Sequence, residues 1–242
     1  MGKRILRIVG VAVLASAAAA CLYFAATCAQ HNVERDEITD AVRHTASGSF
    51  VHLSDGYTHY ELAGPESGRV VVLVHGFSVP YYLWDQTFDP LTKAGFRVLR
   101  YDLYGRGFSD RPHVRYNADL YDRQLSELLS ALHLQEPVEV VASSMGGPIA
   151  VTFAARHPER VRALALFDPG HFIGEPMPWQ ISAPLVGEYV ACVRIVPSLP
   201  DGQKDDFRHP ERYPDYFAKY PEQMRYKGFR RALLSTIRDY FT

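Results

Sequence analysis

The alternation of apolar and polar positions divides the chain into three stretches of different character. The first is an unbroken apolar run, Ile8 to Ala29, which carries no charge and is preceded by Lys3, Arg4 and Arg7. Its length is close to the ~20 apolar residues that a helix needs to cross a bilayer. As a signal-anchor, its basic end stays in the cytoplasm and the rest of the chain lies on the non-cytoplasmic side. As a cleaved signal peptide, Ala18-Ala19-Ala20 offers a small-residue cleavage site and the protein is exported. A lipid-modified Cys21 is a third reading. The apolar run continues through Cys21–Ala26 past that site, which favours the anchor. Residues 1–30 are therefore expected as a membrane or signal segment, and the polar residues 31–47 as a linker that can hold a short helix.

The second stretch, residues 48–170, alternates strand-like and helix-like patterns. Ser49 to Gly64 reads as two short strands turning around Asp55-Gly56. The valine run from Val70 to Val74 suits a strand buried on both faces, as in a parallel sheet. Tyr81 to Gly95 has helical spacing and stops at a glycine. Phe96 to Tyr101 is another strand, followed by a Gly-rich loop. Tyr116 to Leu134 predicts an amphipathic helix, with Asn117 or Asp119 available at its start and Leu120, Leu125, Leu128, Leu129 and Leu132 facing the core. Val138 to Ser143 is a strand, the residues from Met145 to about Pro158 a helix, and Arg162 to Phe167 a strand. This order predicts a mostly parallel α/β sheet. The pattern then breaks. Residues 171–242 are first rich in Pro and Gly, then charged and aromatic, and predict short helices with no buried strand.

Composition narrows the function classes. Lys plus Arg number 26 against 27 for Asp plus Glu, and no basic tract occurs, so the chain carries no electrostatic footprint for nucleic acid and none is expected as a partner. The chain holds three cysteines: Cys21 and Cys28 lie in the apolar run, which argues against a disulfide framework for the globular part, and Cys192 is far along the chain. No Cys-x-x-Cys pair and no His-Glu-x-x-His occurs, so zinc is not indicated.

The candidate chemistry lies at the junction of the Val138 strand and the following helix. Ala142-Ser143-Ser144-Met145-Gly146 fits the nucleophile-elbow pattern Gly-x-Ser-x-Gly, with Ala in the first Gly position. An elbow must turn sharply from strand to helix while lifting its hydroxyl above the sheet, so small residues are needed two before and two after. Only Ser144 has them. Ser143 is flanked at those offsets by Val141 and Met145, which are too large. Pro148 falls in the first helical turn, where its missing N–H is tolerated. The helix N-terminus favours negative charge developing beside Ser144. His75-Gly76-Phe77 follows the valine strand. The backbone N–H groups of Phe77 and Met145 are the candidates for an oxyanion hole, and His75 reads as structural. Asp102, Gly105 and Gly107 read as loop-shaping residues.

Taken in order, His75-Gly76-Phe77, Asp102 to Asp110 and Ser143 to Gly147 resemble the α/β-hydrolase superfamily, most closely small serine esterases and monoacylglycerol-lipase-like members. The resemblance covers about Phe50 to Thr242. It implies an α/β-hydrolase-like, mostly parallel sheet with a helical cap over residues 171–242, in which Trp179 and its apolar neighbours up to Val190 line an acyl pocket. It also implies a triad in the order Ser, acid, His, with acid and His on strands after the cap. No His follows His209, and those strands are absent by Thr242. The expectation is thus a C-terminally truncated form with its last strands missing. Its triad His and Asp lie beyond Thr242, its general base is unknown, and its activity is open. Asp168 is a weak acid candidate, and His171 the only imidazole near it in sequence.

The resemblance implies hydrolysis of a small-molecule carboxylic ester, lipid-like in character, with Ser144 as nucleophile, no metal and no organic cofactor. A non-catalytic acyl-ligand-binding protein of the same fold is the alternative from another class; aminopeptidase and carbon–carbon bond hydrolase stay open among enzymes. Dehalogenases and epoxide hydrolases are disfavoured, because those relatives place Asp where this chain has Ser144. The oligomeric state is left open.

Overall fold

The computed structural model describes residues 2–170 and 177–241. His171, the imidazole considered beside Asp168, and Thr242 lie outside the described residues.

The apolar run forms one helix, α1 (Gly2–His31). Its Arg4–His31 portion has a mean hydropathy of 2.3 and is the one described helix long and apolar enough to cross a membrane. A short helix, α2 (Asp40–Thr45), follows, capped by the Thr39 hydroxyl accepting from Val42 N–H. The polar stretch between them is not a loose linker. Arg35 and Asp36 N–H both donate to Arg225 C=O (2.7 and 3.0 Å), and Lys227 N–H donates to Asp36 C=O (2.8 Å). Asp36 thereby forms a parallel bridge with Tyr226.

A hairpin of β1 (Ser49–Leu53) and β2 (Gly56–Ala63) leads into β3 (Val70–Val74), α3 (Asp85–Lys93), β4 (Arg97–Tyr101), α4 (Ala118–Ala131), β5 (Val138–Ser143), α5 (Gly146–Arg156) and β6 (Val161–Phe167). The six strands form one sheet in the order β1-β2-β4-β3-β5-β6. β1 and β2 are antiparallel to each other and β2 to β4, and all other pairs are parallel. The mostly parallel α/β sheet expected from the alternation is what forms. Asn117 supplies the cap of α4, accepting from Leu120 N–H at 3.1 Å.

Burial follows the pattern of the sequence. One sheet face is covered by α4 and α5 through Leu120, Leu125, Leu128, Ile149 and Phe153. The other face packs Val71, Leu73 and Val98 against Trp84 and Phe88. β6 is the exception: among the described residues it pairs on one side only, with β5, and Leu164, Leu166 and Phe167 are exposed.

The cap is helical: α6 (Trp179–Ser182), α7 (Val186–Val190), a π turn (Ala191–Ile195), α8 (Val196–Asp205), α9 (Pro214–Met224) and α10 (Phe229–Asp239). α7, the π turn and α8 form one continuous helical run. The cap has its own apolar cluster of Val196, Tyr220, Met224, Phe229 and Leu233, closed by Val79 from the core. Cys28, expected to take no part in cross-linking the globular part, is disulfide-bonded to Cys192 across 164 residues. The last turns of α1 pack against the cap, with the Phe24 and Tyr189 rings 4.7 Å apart, and this brings the two sulfurs together.

Candidate active site

Ser144 sits where β5 gives way to α5, with φ at +51°. A non-glycine residue rarely occupies this left-handed region, and where one does the surroundings hold it there. Here its N–H donates to Phe167 C=O (3.1 Å), and its C=O accepts from Gly147 N–H (2.9 Å) and Gly170 N–H (2.8 Å). The neighbouring small residues have physical reasons. Ala142 lies fully buried in register between Val74 and Leu166. A Cβ on Gly146 would come within 2.6 Å of Val74 O and 2.7 Å of His75 O, and one on Gly147 within 2.7 Å of Pro169 Cβ. The helix can therefore start directly under the strand end only with glycine at both positions. Ser144 is exposed and Ser143 half-buried.

Opposite Ser144 runs the loop after β3. His75 is fully buried. Its Nε2 accepts from Leu103 N–H at 2.9 Å, so the ring proton resides on Nδ1 and is donated to Gly76 O at 2.8 Å. Burial lowers its pKa to about 4, with the Asp102 charge opposing that shift. Both ring nitrogens are engaged and the imidazole is neutral, which is a structural role.

Phe77 is pinned through its carbonyl, which accepts from Arg106 Nε at 2.7 Å. Arg106 is itself buried and donates to Tyr104 O, Tyr121 Oη and Thr236 Oγ1, tying this loop to α10. Among the described residues, neither Phe77 N–H nor Met145 N–H has an acceptor. Two unspent backbone donors thus lie in the segments that flank Ser144.

The loop after β4 is shaped by Asp102. Its buried carboxylate accepts from Tyr81 N–H (2.7 Å), Phe108 N–H (2.9 Å) and His59 Nδ1 (2.7 Å). Burial works to raise its pKa, but the hydrogen bond and charge of His59 outweigh burial and hold it below the usual carboxylate range. A Cβ on Gly107 would fall 1.9 Å from Asp102 Oδ2, so the loop closes over the carboxylate only because that residue is glycine.

Ser144 opens into a cleft of about 640 Å³ between core and cap. Its apolar wall comes from Phe77, Val79, Leu83, Leu199, Phe207 and Tyr216. Among the described residues that line it, the charged groups are Asp168 and Asp206, with no Lys, Arg or His. Burial, helped by neighbouring Asp205, raises the Asp206 pKa. Asp168, with φ at +41°, is exposed and shares the cleft with Ser144. No imidazole of the described residues lies within hydrogen-bonding distance of Ser144 Oγ. Among the described residues no cluster of three or more His, Cys, Asp or Glu is placed to hold a metal ion.

Sequence reasoning missed the groups that set the cleft's height. Gln223, buried in α9, donates to Ser78 O (2.7 Å) and accepts from Gly107 N–H (3.0 Å). Gln203, buried in α8, reaches Ser78 Oγ at 3.4 Å. A glutamine on the inward face of each of two amphipathic helices was the available signal.

A sequence model of the alpha/beta hydrolase fold matches residues 69–191. The chain belongs to that family. It is 34% identical over 163 residues to a 2-hydroxy-6-oxononadienedioate/2-hydroxy-6-oxononatrienedioate hydrolase of Paraburkholderia xenovorans, covering 62% of this chain and 55% of that one. It is 36% identical over 103 residues to a haloalkane dehalogenase of Agrobacterium fabrum, covering 43% of this chain and 33% of the relative. The enol-lactonase from Burkholderia xenovorans has the same fold, with a TM-score of 0.65 at 24% identity over 78% of this chain and 71% of that one. The chain spans between a third and just over half of the length of the curated relatives it matches. These relatives are hydrolases acting on small molecules.

Proposed function

We propose that this hydrolase acts on neutral, apolar carboxylic esters, with Ser144 as nucleophile. The observation that carries the reading is the cleft: Ser144 opens onto an apolar wall, and among the described residues the charges beside it are carboxylates without a compensating cation. A dianionic substrate such as the dioate named for the Paraburkholderia relative would meet Asp168 and Asp206 at close quarters. A neutral ester would not. Ser144 Oγ attacks the carbonyl carbon, and the carbonyl oxygen takes the negative charge toward Met145 N–H and Phe77 N–H. The ester C–O bond breaks to release the alcohol, and water then hydrolyses the acyl-serine. The Oγ proton ends on the leaving oxygen, which departs as the alcohol.

The lack of an imidazole at Ser144 Oγ among the described residues favours one second reading, a protein that binds acyl ligands in this cleft without turnover. Reaction with a fluorophosphonate probe and hydrolysis of p-nitrophenyl butyrate separate the two. The esterase reading expects labelling and turnover that vanish in Ser144→Ala and persist in Ser143→Ala. Saturable fatty-acid binding with neither labelling nor turnover supports the second reading and overturns the first. Cleavage of an aminoacyl p-nitroanilide in preference to the butyrate ester assigns the acidic cleft to an aminopeptidase instead.

In the same proposal α1 is a signal-anchor and the globular part lies on the non-cytoplasmic side. The Cys28–Cys192 disulfide supports this, since such bonds persist in oxidising compartments and are rare in the cytosol.

A further inference from the structure

The cap carries an apolar surface whose position is fixed by α1. Trp179 is 65% exposed and Leu185 83%, with Val186 beside them. Leu185 also has φ at +65°, a conformation that side-chain-bearing residues rarely adopt. Water gives no return for holding a leucine out in that way.

The segment is compact. Ala183 N–H donates to Trp179 O (2.9 Å), and Gly187 N–H to Ala183 O (2.9 Å). A Cβ on Gly187 would strike Ile181 O at 2.3 Å, so glycine lets α7 close on α6. Arg238 from α10 braces both, donating to Ile181 O (2.8 Å) and to Glu188 (2.6 Å).

This segment is locked to α1 at a definable depth. About twenty residues at a rise of ~1.5 Å cross the ~30 Å hydrocarbon core. Counted from Ile8, they end near Thr27. Cys28, bonded to Cys192, then stands at the surface of the bilayer. Phe24 lies one turn deeper, and the ring it meets, Tyr189, belongs to α7. Leu185 caps the start of that helix, and its C=O accepts from Tyr189 N–H (3.0 Å).

We propose that the Trp179–Val186 face of the cap rests in the headgroup and upper acyl layer of the same bilayer that α1 crosses. The occupant is lipid. The inference rests on the signal-anchor reading of α1. Tyr23 and Phe24 at this end of α1 and Trp179 on the cap form one aromatic belt, the residue type that favours the membrane–water boundary. The run from α7 through the π turn to α8 connects this face to the cleft, where Leu199 and Asp206 lie.

The chain has two tryptophans, Trp84 and Trp179, and Trp84 is buried in the core. A Trp84→Phe variant of the full chain, reconstituted in phosphatidylcholine vesicles, leaves Trp179 as the only indole. The expected result is that lipids brominated along the acyl chain quench its emission by about half, while aqueous iodide hardly affects it. Leu185→Glu and Cys192→Ser should each weaken quenching by lipid and restore quenching by iodide. Quenching by iodide but not by brominated lipid, in protein that resists carbonate extraction, overturns the cap contact and leaves the anchor standing. Release by carbonate overturns both.

Discussion

Gly76 lies against Ser144: a Cβ built on Gly76 would stand 3.1 Å from Ser144 Cβ and 3.6 Å from its Oγ. The loop after β3 and the elbow after β5 are therefore in contact at the point where the proposed oxyanion donors flank the serine. In Gly76→Ala one of the two must shift by a few tenths of an ångström. The expected outcome is a loss of about tenfold in fluorophosphonate labelling rate, since small displacements of reacting groups are costly. The melting temperature should move little. Unchanged labelling would show that the loop is not part of the reacting geometry.

His75 makes stability sensitive to acid. Its unfolded form takes up a proton below about 6.5 and its folded form only below about 4, so the unfolded chain holds more protons in between. The contribution of neutral His75 is complete above pH 6.5 and is lost as pH falls toward 4. Its size is about 3 kcal/mol. Asp102, held below the usual carboxylate range, acts in the same direction at lower pH. Urea titrations from pH 7 to about pH 4 should show that decline in the parent chain and a flatter profile in His75→Gln. An identical slope in both would remove His75 as the cause.

Asp206 should repel anionic substrates from the cleft. Asp206→Asn is expected to improve the rate on a carboxylate-bearing ester relative to a neutral one by about threefold, the modest size typical of partly exposed charges. The rate on the neutral ester should stay close to that of the parent. A selectivity ratio that does not move would place the anionic end of such substrates elsewhere.

Reducing the Cys28–Cys192 bond opens a loop of 164 residues. Chain-entropy arguments put an upper bound of ~5 kcal/mol on the stability it contributes. Dithiothreitol, or Cys192→Ser, should lower the denaturant midpoint and make the junction after His31 more sensitive to protease. Equal midpoints with and without reductant would mean that the noncovalent strap from Arg35 to Lys227 holds the same geometry alone.

The fold was legible where physics is local. The valine run of β3, the leucine spacing of α4 and the small residues around Ser144 each state their own environment, and the sheet, the Asn117 cap and the positive-φ turn at Ser144 follow from them. What stayed hidden depends on partners far along the chain. Cys28 looks like one more small residue of an apolar helix until the π turn that carries Cys192 packs beside it. Residues 33–39 look like solvated polar chain until Arg225 and Lys227 offer backbone partners. The His59–Asp102 pair joins strand β2 to the loop after β4, and neither segment gives a local sign of the other. Gln223 was readable only as a polar interruption on a helix face, and its use, holding Ser78 and Gly107 at once, needs both loops in place.

Among the described residues β6 has one unpaired side. Phe167, at the end of that strand, accepts the Ser144 N–H, and Asp168 next to it opens into the cleft. In parallel sheets the chemistry gathers at the carboxyl ends of the strands. Any strand added alongside β6 in parallel would end level with Phe167, and the residues following it would emerge beside Ser144. The pocket is thus a socket with one side formed by a strand edge. One row of β6 backbone groups, facing β5, holds the Ser144 N–H through Phe167, while the opposite row is an edge on which another strand can pair, so an edge contact made there would also crowd the approach to the proposed nucleophile.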